Sequence, residues 1–196
     1  MAERKAAVTR ETKETSVKVE LKLDGKGQFE ITTGIRFFDH MLSQLAQHGV
    51  FDIKLSATGA DQHHVVEDVA ISLGKALNQA LGDKSGIIRM AHAVVPMDDT
   101  LAMVALDIGG RGYTVFEASF SDTNIEKMSA ELIRHFFVSF ASEAKLNIHA
   151  KVLSGIDDHH KGEALFKALA RALDAATRLD ERITGRIPST KDTIEG

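Results

Sequence analysis

Asp61-Gln62-His63-His64-Val65-Val66-Glu67-Asp68 and Asp157-Asp158-His159-His160-Lys161-Gly162-Glu163 carry the same string, His-His-x-x-Glu, in one chain of 196 residues. Each runs into an apolar pattern of helical period. After the first come Val65, Val69, Leu73, Ala76, Leu77 and Ala80; after the second come Ala164, Leu165, Ala168, Leu169, Ala172, Leu173 and Ala176. The segments upstream correspond too. Phe37-Phe38-Asp39-His40 opens an apolar periodic stretch 24 residues before His64, and His135-Phe136-Phe137 opens another 25 residues before His160. Self-similarity at matched spacing is the signature of an internal duplication.

Ahead of each first helix, Val17 to Leu23 alternates, Asp24-Gly25-Lys26-Gly27 turns and Phe29 to Thr33 returns, which reads as a hairpin. Leu101 to Ile108, Gly109-Gly110-Arg111-Gly112 and Tyr113 to Phe120 repeat the pattern. A third strand follows each first helix, Phe51 to Ala57 and Leu146 to Leu153. Each half is therefore expected to be β-β-α-β-α, with its helices on one face of a small sheet. The whole is an α+β fold of two small sheets packed with a shared helical layer. The halves are placed at residues 1–95 and 96–180, with a C-terminal tail at 181–196. Only the ends read as loose: Met1 to Thr12, and the run Gly185-Arg186-Ile187-Pro188-Ser189-Thr190-Lys191, which forms no regular element.

Composition bounds the function classes. With 43% hydrophobic and 27% charged residues the chain is a folded globular protein, and at this length about 70% of the unfolded surface is removed from water. Zero Cys removes disulfides, thiolate metal sites and cysteine nucleophiles, and fits a reducing cytoplasm. The N-terminus has no apolar signal region and no stretch approaches the roughly 18 apolar residues of a membrane span, so neither secretion nor a membrane is expected. A formal net charge of −4 gives no broad basic field for nucleic acid.

The anomaly is nine histidines. Residues three apart on a helix share a face, so His64 with Glu67, and His160 with Glu163, are expected to aim an imidazole and a carboxylate at one point. His63 and His159 lie about 100° around the helix and would serve a second direction, which favours two metals over one. With His40 and His135, the duplication supplies six imidazoles and two carboxylates. Such a set suits Mn, Fe, Co, Ni or Zn, and affinity order alone does not choose among them. His48, His92 and His149 lack counterparts and read as surface or packing residues. Other polar residues stand out less. Arg111 in its glycine-rich turn can grip an anion or simply turn a hairpin. Lys167 lies four residues after Glu163 and faces the same side, as an ordinary exposed helix lysine also would.

These residues resemble one family. Phe38-Asp39-His40-Met41-Leu42, His63-His64-x-x-Glu67-Asp68, Leu106-Asp107-Ile108-Gly109-Gly110-Arg111, His159-His160-x-x-Glu163-Ala164-Leu165-Phe166-Lys167 and Ile187-Pro188-Ser189-Thr190-Lys191 are similar to the motif series of imidazoleglycerol-phosphate dehydratases, in the same order, from about Thr12 to Thr193. The resemblance implies a ribosomal protein S5 domain 2-like architecture and dehydration of D-erythro-imidazole glycerol phosphate to imidazole acetol phosphate in histidine biosynthesis. It further implies two Mn²⁺ ions per active site and a homo-oligomer of 24 subunits with sites at subunit contacts. Position by position, it implies that His40, His63, His64, Glu67, His135, His159, His160 and Glu163 are metal ligands and that Gln44 is a substrate contact. Arg89, Arg111, Lys167, Ser189 and Lys191 would bind the phosphate, and Glu14 would be an acid–base carboxylate. His63, Glu67, His159 and Glu163 would also belong to the catalytic set. The loop Thr58-Gly59-Ala60-Asp61-Gln62 is shorter than in many members, and Gly109 stands where a Ser often precedes the Gly-Arg pair.

The implied chemistry is self-consistent. The proton to be removed sits on a carbon without a neighbouring carbonyl, so the resulting charge needs another sink; the substrate's imidazole, held as imidazolate between two cations, provides one. Two other functions use the same histidines: a non-catalytic metal-storage assembly, which has no need of phosphate-binding cations, and a dinuclear hydrolase.

Overall fold

The computed structural model describes residues 3–194. The outermost residues of the first segment and of the tail, 1–2 and 195–196, lie outside the described residues.

The duplication is visible in element lengths. The first half contains β1 (Lys5–Glu11), β2 (Thr15–Lys22), β3 (Phe29–Thr32), α1 (Arg36–Gly49), β4 (Asp52–Gly59) and α2 (Gln62–Leu81). The second contains β5 (Met90–Met97), β6 (Thr100–Asp107), β7 (Tyr113–Glu117), a small β8–β9 hairpin (Asn124–Ile125, Met128–Ser129), α3 (Glu131–Ala144), β10 (Asn147–Ser154) and α4 (Asp158–Thr177). The first helix has 14 residues and the second 20 in both halves. Val50 after α1 and Lys145 after α3 both adopt the left-handed conformation, with φ of 57°, and close their helices by donating to Ala46 and Ala141.

The sheets run β1-β2-β4-β3 and β5-β6-β10-β7. This corrects the hairpin reading twice. β2 and β3 do not pair; β4 enters between them, antiparallel to β2 and parallel to β3, and β10 likewise separates β6 from β7. The Asp24–Gly27 turn reverses the chain but does not dictate which strand becomes the neighbour. A parallel pair needs a crossover, and α1 and α3 supply it. A leading strand was also missed in each half. β1 pairs with β2 through seven residues, so the segment up to Thr12 is ordered from Lys5 onward. β5 pairs with β6 in the second sheet, so the division between halves falls in 82–89 rather than at 95/96, which would cut that strand. Both leading strands lie at sheet edges, where burial is partial and the apolar signal weak.

The four helices lie between the sheets, but not half by half. α1 packs on α4 and α2 on α3, while α2 also covers β1 and β2 and α4 covers β5 and β6. Alternation puts Val17, Val19 and Leu21 of β2 and Ala102, Val104 and Leu106 of β6 inward, against one continuous core centred on Phe38, Phe136, Phe137, Phe140 and Phe166. At the α2–α3 crossing Gly74 is a contact point: a Cβ there would lie 2.7 Å from the Phe140 carbonyl oxygen and 3.0 Å from the Ala144 nitrogen.

The outer faces of the sheets differ. The first carries charge, with Lys18, Glu20 and Lys54 exposed. The second exposes Met90, Val94 and Tyr113. Among the described residues no helix is long and apolar enough to cross a membrane. The tail is docked rather than loose: the Arg186 carbonyl accepts from the Gly86 N–H, the Pro188 carbonyl accepts from Arg89, and Ile194 is buried.

Candidate active site and metal-binding clusters

Both His-His-x-x-Glu strings begin helices, and the residue that starts each helix is visible in the sequence. Asp61 caps α2 by accepting from the His64 N–H, and Asp157 caps α4 by accepting from the His160 N–H. His63 and His159 are thus the second residues of their helices, one turn before Glu67 and Glu163. His40 and His135 do not open α1 and α3 but lie one turn in, on the fifth residue of each.

Two clusters result. His40, His159 and Glu163 bring one donor atom each within 4.8 Å of one another, and so do His63, Glu67 and His135. Glu163 Oε2 is 3.2 Å from His40 Nε2 and 3.4 Å from His159 Nε2. Glu67 Oε1 is 3.6 Å from His135 Nε2, and the His63 and His135 rings lie 4.5 Å apart. Each cluster takes its lone histidine from one half and its His-x-x-x-Glu pair from the other, because α1 packs on α4 and α3 on α2.

The geometry corrects the expected pairing. Within the chain the carboxylates meet His63 and His159, four residues before them, rather than His64 and His160, three before. Side chains on a helix lean toward its N-terminus, and four-residue spacing brings them together as well as three. His64 and His160 point away. His64 Nδ1 lies 2.5 Å from Asp61 Oδ2 and its Nε2 lies 3.4 Å from Glu14 Oε2. His160 repeats this with Asp99 at 2.6 Å and Asp98 at 3.5 Å.

Glu14 and Asp98 are therefore counterparts, each in the turn between the first two strands of its half. Asp98 and Asp99 were missed by sequence reasoning because the leading strands β1 and β5, which define that turn, were missed; aligning the two hairpins would have found them. Asp68 fixes the first of these turns to α2, accepting from Arg10 Nε at 2.7 Å and from the Thr15 hydroxyl. Asp99 fixes the second, accepting from the N–H groups of Ile156 and Asp157.

Charge follows the contacts. Hydrogen bonding to Asp61 and to Asp99 raises His64 and His160 above the ordinary histidine pKa. Burial by itself would push the Glu163 carboxyl up, but Lys167, 2.7 Å away, and His40 hold it below the usual range. His135 Nε2 is buried and has no hydrogen-bond partner among the described residues. A buried imidazole nitrogen left unpaired beside a carboxylate and a second imidazole is what a cation site requires before the cation arrives. The donor sets, imidazole and carboxylate without thiolate, fit a borderline divalent metal.

The expected phosphate residues separate into two places. Arg89, Arg111, Ser189 and Lys191 line one open cavity of about 940 Å³, with the tail as one wall. Arg89 is held there by a two-point contact to Asp107, at 2.7 and 3.1 Å. Lys167 is not in that cavity; it pairs with Glu163. Gln44 also sits beside the first cluster, with Nε2 3.4 Å from His40 Nδ1 and Oε1 3.0 Å from His48 Nε2. His48, read from sequence as a bystander, is thus an α1 neighbour of Gln44, and burial lowers its pKa.

Fold and clusters together define a duplicated α+β protein with two potential metal-binding His₂Glu groups at the starts of α2 and α4 and a cationic cavity near the other end of α4, where the Arg89 N–H donates to the Ala176 carbonyl. The sequence matches the imidazoleglycerol-phosphate dehydratase family over residues 33–173. It is 58% identical to the imidazoleglycerol-phosphate dehydratase of Dehalococcoides mccartyi over 195 residues, all of both chains. The structure is similar to two solved ones of that name: from Pyrococcus furiosus, with TM-score 0.83, 35% identity and coverage of 95% of this chain and 99% of that one, and from Staphylococcus aureus, with TM-score 0.83, 32% identity and coverage of 90% and 99%. The chain belongs to the imidazoleglycerol-phosphate dehydratase family. It is accordingly a dehydratase, a carbon–oxygen lyase, which decides against both the storage and the hydrolase readings.

Proposed function

We propose that the chain converts D-erythro-imidazole glycerol phosphate to imidazole acetol phosphate and water in cytoplasmic histidine biosynthesis, with two Mn²⁺ ions per active site. The observation that carries this reading is the duplicated His₂Glu cluster with an unpaired, buried His135 Nε2. His40, His159 and Glu163 would hold one ion, and His63, Glu67 and His135 the other. When bound, the ions supply Lewis acidity to the substrate's imidazole, which takes up the charge left when a carbon-bound proton departs.

The chain's residues do the rest. Glu14, whose carboxylate lies 3.4 Å from His64 Nε2, would move one of the protons in the reaction, from the substrate carbon or to the departing C3 hydroxyl. Arg89, Arg111, Ser189 and Lys191 grip the phosphate; guanidinium groups pair two-pronged with its oxygens, while Lys191 acts as a point charge. Lys167 and Gln44 bound the substrate next to the first cluster. Phosphate binding at a distance from the clusters fixes the reacting carbons beside the proton-moving groups.

We further propose a homo-oligomer, 24 subunits in the closed form, with sites at subunit contacts. Each cluster has three protein donors, whereas His64 and His160 are partly exposed and aim outward, as a fourth donor to a neighbour's ion would. The apolar outer face of the second sheet supports association. The test is to incubate Mn²⁺-loaded protein with imidazole glycerol phosphate and follow the ketone product by absorbance; metal-loaded protein without turnover would refute the assignment. Glu14→Gln with unchanged turnover and both ions bound would remove Glu14 from the proton transfer.

A further inference from the structure

One turn in the second half adopts a backbone that its sequence does not favour. β8 and β9 are joined by two residues, Glu126 and Lys127, with φ of 44° and 72°. A two-residue turn with both residues at positive φ is the type I′ form, where Asn-Gly and similar pairs dominate because a Cβ is unfavourable there. A Glu-Lys pair in that conformation persists only where its surroundings fix it.

Here the surroundings are one metal-binding cluster and the start of α2. Glu126 Oε1 lies 3.1 Å from Nδ1 of His159, whose Nε2 faces Glu163. On the other side, the Lys127 carbonyl accepts from Nε2 of Gln62 at 3.0 Å, next in sequence to His63. The loop leading into the hairpin is fastened to the start of α4. Asp158 accepts from the N–H groups of Ser121 and Asp122 at 2.7 and 2.8 Å, and buried Lys161 donates to Asp158 at 2.7 Å and to the Ser119 carbonyl at 3.2 Å.

We propose that Glu126 is a positioning residue for the His40–His159–Glu163 site: its carboxylate, 3.1 Å from Nδ1 of His159, favours the tautomer with the proton on Nδ1, so that the Nε2 lone pair faces His40 and Glu163. A carboxylate on one imidazole nitrogen leaves the other deprotonated and more basic, which is what a metal ligand needs. Asp61 and Asp99 hydrogen-bond Nδ1 of His64 and His160, and Glu126 brings a carboxylate beside the corresponding nitrogen of His159. The strained turn is then the means of delivering a carboxylate to that nitrogen.

This inference rests on the reading that the cluster binds a divalent metal. The test titrates Mn²⁺ into metal-free, full-length protein and follows the free-ion electron paramagnetic resonance signal, with thermal unfolding of the same samples. Glu126→Gly removes the carboxylate and suits the backbone. It is expected to weaken one class of Mn²⁺ site by about tenfold, the low end for such outer partners because Glu126 is partly exposed, while the other class keeps its affinity and the metal-free Tm holds or rises. Glu126→Gln, which retains an acceptor oxygen, is expected to fall between Glu126→Gly and the wild type. Wild-type affinity at both classes in Glu126→Gly, or equal weakening of both with a lower Tm, would overturn the proposal. If His159→Ala leaves both classes intact, the cluster reading itself fails and the positioning role with it.

Discussion

Gly74→Ala gives a direct test of how the helix crossing sets one of the clusters. The new Cβ would stand 2.7 Å from the Phe140 carbonyl oxygen and 3.0 Å from the Ala144 nitrogen, both backbone atoms of α3 that no side-chain rotation can clear. Restoring ordinary contact at 3.4 Å requires α3 to move away from α2 by about 0.7 Å. Overpacking of this kind costs about 1–3 kcal/mol. The better helix propensity of Ala returns about 0.5–1 kcal/mol. The net loss of about 1–2 kcal/mol lowers Tm by about 2–8 °C for a chain of this size. The displacement matters more for the site. His135 rides on α3 while His63 and Glu67 ride on α2, and metal–ligand distances tolerate only about 0.2 Å. Mn²⁺ binding at that cluster should weaken while the cluster between α1 and α4 keeps its affinity. Circular dichroism melting of metal-free protein at fixed concentration, with a Mn²⁺ titration of the folded protein, reads both effects. A Tm equal to or above the wild type, with two unaltered classes of site, would refute the argument that close helix approach positions His135.

Further outcomes follow from the same geometry. Glu163→Gln should reduce Mn²⁺ from two ions per chain to one and cut turnover by about two orders of magnitude or more, since its partner Lys167 is then left beside two imidazoles; stoichiometry by atomic absorption checks it. Lys191→Ala should raise KM and lower kcat/KM by about tenfold to a hundredfold, the worth of a charge-assisted contact to phosphate; unchanged steady-state kinetics would make the tail a bystander. The pH dependence should reverse sign with metal. His64 and His160 are raised above their ordinary pKa by Asp61 and Asp99, so in metal-free protein these pairs contribute stability that is full below about 6.5 and fades as pH rises through the raised values. Metal binding needs the same rings neutral, so the stabilisation added by Mn²⁺ should grow with pH over that window. Melting curves that respond to pH in parallel with and without Mn²⁺ would contradict this.

Much of the fold was legible because duplication amplifies weak signals. Helix positions, the α+β class and the pairing of His-His-x-x-Glu strings all emerged from matched spacing. The leading strands did not: Lys5–Glu11 is an edge strand whose inward Ala6, Val8 and Arg10 are only partly buried, and its charges hide the alternation. The false hairpins came from local information, since a turn at Asp24–Gly27 cannot report that β4, which begins only at Asp52, will enter between β2 and β3. In the site, the residue types were legible but their companions were not. That His40 faces Glu163 and His135 faces Glu67 depends on which helices cross, a tertiary fact without local trace. Asp98, Asp99 and Glu126 carry no motif and are found only through the atoms they touch.

The exchange of partners between halves has a consequence for engineering. Neither half owns a complete His₂Glu group; each lends one imidazole and borrows one. Severing the chain within 82–89 should therefore yield two fragments that are each blind to the cation alone and regain it on mixing.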